Sequence, residues 1–375
     1  MKILHFGKFY PPFNGGMETY LRDLAEQQNE KHTVTVLVHN HLFKKLTSKT
    51  ESEKINGVNI IRQKTLKPIL FTPIMLGLNK VINNLFSKNK FDVIHISWPN
   101  PSALLLLFNK QAQSTHWVIQ WQSDMITKRS SWMLKLAYQF FKPFEKRLIQ
   151  HAKKIIVSTE EYFSHSIALK PFRNKCSFIP LGMKYNDIII EKKQLSWAND
   201  LWNNAQYKIY SIGRLTFYKN HQIFIHAAKL MPDAMFIITG SGDLGPSLNK
   251  EVSQKSLSNI TFSGNLPKNK LNALIHSCDI FCLASNDRAE SFGMVLLEAI
   301  QQQKPILVSD LKGSGMKWIA SQVDKGYTFD HTSAHDLIGK IKIISKNTKS
   351  TYKPENILTI EQCANDIDQI YSSLV

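Results

Sequence analysis

The feature that most narrows the fold of this chain is a rhythm that runs, stops once and restarts. A first series of short β-rich runs comprises KILHF (2–6), TVTVLVH (33–39), VNIIRQ (58–63), DVIHIS (92–97), THWVIQW (115–121), KKIIVST (153–159) and CSFIP (176–180), with helical patterns between several of them. The polar stretch NDIIIEKKQLSWANDLWNNAQ (186–206) interrupts the series. A second series follows: YKIYSIG (207–213), AMFIITG (234–240), NITFSG (259–264), DIFCLAS (279–285), PILVSD (305–310) and GYTFD (326–330). Strand alternating with helix is the pattern of parallel, doubly wound sheets, in which each helix carries the chain back to begin the next strand in the same direction. The fold class is therefore α/β, with two Rossmann-like domains at 1–185 and 186–354. A length of 375 residues suits that division. A final helix, 355–375, places Cys363, Ile367, Ile370 and Tyr371 on one face. That stripe predicts docking onto a domain surface, the first domain being the candidate.

Several function classes fall away early. The longest apolar stretch, 69–78, is too short to span a bilayer and is broken by Thr72, Pro73 and Gly77. The opening MKILHFGKFYPP lacks the apolar core of a signal peptide, which predicts a cytoplasmic protein. Cys176, Cys278, Cys282 and Cys363 show no metal-ligand spacing and read as small buried residues. Charge is more informative. Residues 1–185 hold 27 Lys/Arg against 11 Asp/Glu, or +16, and residues 186–375 hold 20 against 18, or +2. An excess confined to one half points to a polyanion or an acidic membrane surface as that half's partner. A nucleic acid would satisfy the charge, yet no helix-turn-helix, zinc or RNA-recognition pattern accompanies it.

Four loops lie where strands end and helices begin, the place where open α/β sheets bind ligands. In NGGMET (14–19), Gly15 and Gly16 either form a simple turn or let backbone N–H groups approach an anion. In GRLTFYKN (213–220), Arg214 offers a fork and Lys219 a point charge, suited to one phosphate group. In TGSGDLG (239–245), Gly240 and Gly242 fit either a tight turn or part of a nucleotide loop. The fourth, ESFGMVLLE (290–298), carries a carboxylate at each end of an apolar run. An amphipathic helix would leave both charges solvated. A helix capped by Ser291 whose start faces a ligand would instead present the N–H groups of Phe292, Gly293 and Met294 to a diphosphate, with Glu290 and Glu298 free to bind sugar and ribose hydroxyls.

Taken together, these motifs resemble those of the family 4 glycosyltransferases, the retaining, sugar-nucleotide-dependent class with the GT-B fold. GKFYPPFNGGMETYLRDLA resembles that family's acceptor-side loop, FIPLG (178–182) its entry to the interdomain linker, GRLTFYKN its phosphate loop and ESFGMVLLE its E-x7-E motif. GSGMKWI (313–319) resembles a glycine loop of polysaccharide-assembly members. The resemblance implies two Rossmann-like domains facing each other across a cleft, with the last helix returning to the first. It implies that Arg214 and Lys219 neutralise the donor diphosphate, that Glu290 binds the donor sugar and Glu298 the ribose, and that Gly16 approaches the phosphate from the opposite domain. It also implies that no metal or other cofactor is needed. One departure stands out: in WQSDM (121–125), Gln122 occupies a position that many relatives give to histidine. Gln can hydrogen-bond a sugar hydroxyl but cannot act as a base. Asp124 either orients an acceptor hydroxyl or caps the local backbone. His5 and His95 sit in strands and read as core or cleft-wall residues.

Two stretches of the first half, 64–90 and 128–154, combine cations with large apolar residues. In the second, Trp132, Leu136, Phe140 and Phe144 recur every four residues beside Lys135, Lys142, Lys146 and Arg147, and Pro143 predicts an interruption or kink. Such a surface either lies in an anionic headgroup layer or is the core side of ordinary helices. The expectation is a hexosyltransferase of surface polysaccharide or lipopolysaccharide synthesis, peripheral on the inner face of the cytoplasmic membrane. Its partners would be a nucleotide sugar, with GDP-mannose as the leading donor, and a lipid-linked glycan acceptor. A UDP-sugar donor, or an inactive sugar-nucleotide-binding protein of the same fold, is the alternative.

Overall fold

The computed structural model describes residues 1–13, 15–42, 45–46, 50–65, 73–125, 132–185, 187–346 and 358–375. Residues 66–72, Lys128, Arg129 and 355–357, which the sequence reading touched, lie outside that set. The chain forms two units, one of residues 1–184 with 358–375 and one of residues 185–357.

The first unit is built on eight strands: β1 (Lys2–Phe6), β2 (Thr33–His39), β3 (Glu51–Ile55), β4 (Val58–Gln63), β5 (Val93–Trp98), β6 (His116–Trp121), β7 (Lys154–Val157) and β8 (Cys176–Phe178). Their order is β8-β7-β6-β5-β1-β2-β4-β3, parallel except for the β3–β4 hairpin. The second unit has β9 (Tyr207–Ile212), β10 (Ala234–Thr239), β11 (Ile260–Phe262), β12 (Ile280–Leu283), β13 (Ile306–Ser309) and β14 (Gly326–Phe329). These pair in the order β11-β10-β9-β12-β13-β14, all parallel. The central strands are buried along nearly their whole length, such as Ile3, Leu4, His5 and Phe6 in β1, because helices cover both faces.

Four helices bear on function: α1 (Gly16–Gln28), α2 (Trp132–His151), α3 (Val295–Gln301) and α4 (Ile360–Ser372). The last of these starts at Ile360, capped by the Thr359 hydroxyl accepting from the Gln362 N–H. It buries Cys363, Ala364, Ile367 and Tyr371 and packs in the first unit beside α1. Polar contacts fix its register. Asp368 accepts from Gln28 Nε2 at 2.7 Å and pairs with His32 Nε2 at 3.1 Å, while the Tyr371 hydroxyl meets His95 Nδ1 at 2.5 Å. His95 and His5 are adjacent ladder partners in fully buried positions. Burial drives both toward the neutral form, His5 down to about 4 and His95 well below the usual histidine value.

Pro143 does not break α2, which runs unbroken over 20 residues. The carbonyl that loses its partner belongs to Gln139; both residues are exposed, so water can satisfy it.

Candidate active site

The second unit reverses its strand order at β9. From there β10 lies on one side and β12 on the other, so the loops leaving β9 and β12 emerge side by side at the switch point. The first is 213–220, carrying Arg214 and Lys219; the second is 284–294, carrying Glu290.

These loops meet through an ion pair. Lys219 is 8% exposed, and its Nζ lies 2.5 Å from Glu290 Oε2. The same carboxylate oxygen accepts from the Ser285 hydroxyl at 3.2 Å. The Glu290 backbone is held too: its carbonyl accepts from Ser314 Oγ at 2.5 Å and its N–H donates to the Asp287 carbonyl at 3.0 Å. Removing either partner of such a pair leaves a charge desolvated and unmatched, so the two side chains fix one another. Arg214 stands exposed at the loop mouth, its Nη2 donating to the Tyr218 hydroxyl at 3.2 Å. Its carbonyl meets His221 Nε2 at 3.2 Å, and burial pushes His221 down to about 4, so the ring there is neutral and structural.

Glycines let the loops close on one another. A Cβ on Gly240 would sit 2.0 Å from the Gly213 carbonyl oxygen, and Gly240 has φ +143°. A Cβ on Gly242 would sit 2.4 Å from the Leu215 carbonyl oxygen. Leu215 N–H in turn donates to the Ser241 carbonyl at 3.0 Å. Gly240 thus supports the Arg214 loop by backbone contact, a role that the G-x-G pattern alone did not specify.

The fourth loop departs from the sequence reading. Helix α3 begins at Val295 with Met294 at its N-cap position and no side-chain cap. Ser291 is not the cap. Gly293, at φ +87°, turns the chain left-handed just before the helix, and its carbonyl accepts from the Leu296 N–H at 2.8 Å. Phe292, Gly293 and Met294 therefore form a turn ahead of the helix rather than its first turn. The two carboxylates of the motif have separate partners. Glu298, in the first turn of α3, pairs with Lys268 Nζ at 2.6 Å. Lys268 is well exposed, and a surface pair of this kind opens at little cost.

The remaining candidates belong to the first unit. Gly16 opens α1 with Gly15 at the N-cap, and Gly16 is exposed. Gln122 follows β6; its N–H donates to the Trp98 carbonyl at 2.9 Å. Its side chain is 3% exposed, and neither amide atom has a hydrogen-bond partner among the described residues. Asp124 accepts from Trp121 Nε1 at 3.0 Å and from Ser166 Oγ at 2.7 Å, and its N–H donates to the Tyr162 hydroxyl at 2.6 Å. Its carboxylate thus ties the loop after β6 to the Trp121 and Ser166 side chains. Among the described residues no three His, Cys, Asp or Glu side chains gather as a metal cluster. Sequence reasoning missed Ser285, Ser314, Tyr218 and His221. Tyr218, inside GRLTFYKN, Ser314, inside GSGMKWI, and His221, just after the phosphate-like loop, offered a sequence signal through their place in or beside those motifs.

Comparison with known proteins agrees with this architecture. The family model for glycosyl transferases group 1 matches residues 193–357, and that for a glycosyl transferase 4-like domain matches residues 15–182. The O-antigen chain mannosyltransferase C of Escherichia coli is 24% identical over 353 residues, 94% of this chain and 90% of that protein. The D-rhamnosyltransferase WbpZ of Pseudomonas aeruginosa is 24% identical over 326 residues, 85% of this chain and 80% of that protein. The sucrose-phosphate synthase of Thermosynechococcus elongatus shares the fold, with a TM-score of 0.76 at 15% identity, over 100% of this chain and 99% of that one. With each half matched by its own family model and the switch-point loops in place, the chain belongs to the group 1 and 4-like glycosyltransferases of the GT-B fold, and it is a hexosyltransferase.

Proposed function

We propose that this enzyme moves a hexose from a nucleoside diphosphate donor to a lipid-linked saccharide during O-antigen-type surface polysaccharide assembly, with retention at the anomeric carbon and without a metal. The observation that carries the reading is the buried Lys219–Glu290 pair at the switch point, with the exposed Arg214 guanidinium on the same loop. Cations fixed before the reaction stabilise a leaving diphosphate as its charge develops, at no reorganisation cost. Glu290 holds Lys219 in place and offers its other oxygen to donor sugar hydroxyls. Glu298 exchanges Lys268 for the ribose. The turn at Phe292, Gly293 and Met294 supplies backbone N–H groups, and Gly240 keeps the Arg214 loop in register. The leaving phosphate takes the acceptor proton, which suits a glutamine at 122, since Gln122 binds a hydroxyl but cannot be a base. Gly16 is assigned to the donor phosphate and Asp124 to holding the Gln122 loop.

GDP-mannose is the first donor to test, because a relative matched over most of both chains is a mannosyltransferase by name. The acceptor's lipid places the work at the inner face of the cytoplasmic membrane. The decisive measurement is thermal stabilisation by a panel of GDP-, UDP- and ADP-sugars, with Arg214→Ala alongside. A ligand present at 100 times its Kd adds about 2.7 kcal/mol. One donor should raise the melting temperature, and the Arg214 variant should lose the effect. No response to any donor at millimolar concentration sinks the catalytic reading; a response to UDP-sugars alone replaces the donor.

A further inference from the structure

We propose that α2 is a membrane-docking helix, laying the face from Trp132 to Phe144 into the headgroup layer of an anionic bilayer. The proposal takes its biological sense from the lipid-linked acceptor above, but its geometry stands apart from the donor site.

The helix is divided. Its buried residues, Glu145, Leu148 and Ile149, all follow Pro143 and anchor the last two turns in the first unit. The preceding turns expose their apolar side chains instead. Trp132 and Phe140 are each 73% exposed, and Leu136, between them, is 56% exposed. With Phe144 they repeat every four residues and form one stripe, flanked by Met133 and Phe141. Phe108 adds to it from a neighbouring segment, its ring 6.3 Å from that of Phe144. A helix packed by its apolar side would show the reverse distribution. Contiguous large apolar groups left in water mark an interaction surface.

Charge selects the partner. Lys135, Lys142, Lys146 and Arg147 lie on the same helix, and Lys110 follows the segment that bears Phe108. The one carboxyl on α2 is Glu145, which is buried and accepts the Tyr138 O–H. Among the described residues of α2, the face therefore offers aromatic rings and cations with no exposed acid of the helix itself, the combination suited to the interface of an anionic membrane. A second copy of the chain would bring the same positive charge to it, which disfavours self-association there.

The test is co-sedimentation with vesicles of phosphatidylcholine alone and of phosphatidylcholine with an equal part of phosphatidylglycerol. The full chain should bind the anionic vesicles at least ~10-fold more tightly, and binding should weaken as salt rises. Trp132→Ser with Phe140→Glu should lower that affinity by ~10-fold or more while keeping the melting temperature and any donor-induced shift. Lys142→Glu with Lys146→Glu should remove the preference for phosphatidylglycerol. Equal binding by wild type and the apolar double variant overturns the proposal, as does the absence of vesicle binding. A concentration-dependent dimer in analytical ultracentrifugation that the double variant abolishes would reassign the face to a second copy. A null donor panel with intact vesicle binding would count against the transferase reading alone.

Discussion

The two units share a parallel, doubly wound plan and handle charge in opposite ways. Around the second unit's switch point the cations are held by partners: Lys219 by Glu290, Lys268 by Glu298, and the exposed Arg214 by the Tyr218 hydroxyl. Across that unit's residues, 185–357, the balance is 20 Lys/Arg against 15 Asp/Glu. The first unit carries 27 against 14, and its long helix α2 sets cations beside exposed aromatic rings. A buried pair gives direction to one ligand, because each charge is held by its partner and by hydrogen bonds. A dispersed surface excess gives attraction without direction, and salt screens it. On the proposed reading, the same fold supports a site that selects and a surface that gathers.

Three changes press on this contrast. The largest effect belongs to Lys219→Ala, which removes a fixed cation and leaves Glu290 unpaired in a nearly closed position. Turnover should fall about 10²–10³-fold, as when one fixed transition-state donor is lost, while vesicle binding stays as in wild type. Turnover within threefold of wild type would mean that the partnered cation is structural only. Next is Gly240→Ala. The added methyl meets the Gly213 carbonyl at a backbone angle that disfavours side chains, so the second unit should lose about 2–3 kcal/mol. Urea unfolding followed with donor binding would read it; an unchanged midpoint would mean that the loops part freely.

The last change acts through pH on the first unit. His5 and His95 are held neutral by burial, with folded values below that of the free side chain. The contribution of His5 is therefore fully present above pH 6.5 and is lost as pH falls toward about 4, at about 1.4 kcal/mol per pH unit, and that of His95 is likewise lost as pH falls below 6.5. Glu145 works the other way. Burial raises it from 4.5 to about 7, so the folded state takes up that proton first and gains as pH falls through this window. Glu145→Gln should therefore steepen the acid loss between pH 6.5 and 4.5 by about 1.4 kcal/mol per unit. Urea midpoints across pH would show it, and parallel curves for variant and wild type would refute the opposition.

Much of the architecture can be read from the chain alone. Alternating runs such as KILHF and YKIYSIG announce parallel strands, because period and β-branching are local properties that each segment carries by itself. The loops able to hold a ligand follow from the same pattern, since they occupy strand ends. Pairing is a different matter. That the loops after Ile212 and Leu283 are neighbours depends on strand order, and so does the meeting of Lys219 with Glu290 across 71 positions. The ESFGMVLLE run looks helical throughout, yet Gly293 delays the helix to Val295. Only packing showed which side of α2 is wet, for an apolar stripe has the same spacing whether a core or a membrane covers it. The sequence by itself determined the elements, the charge asymmetry and the candidate loops, because these depend on near neighbours along the chain. Tertiary structure alone decided which charges are partnered and which aromatic rings face water, because those are set by distances between residues far apart in sequence.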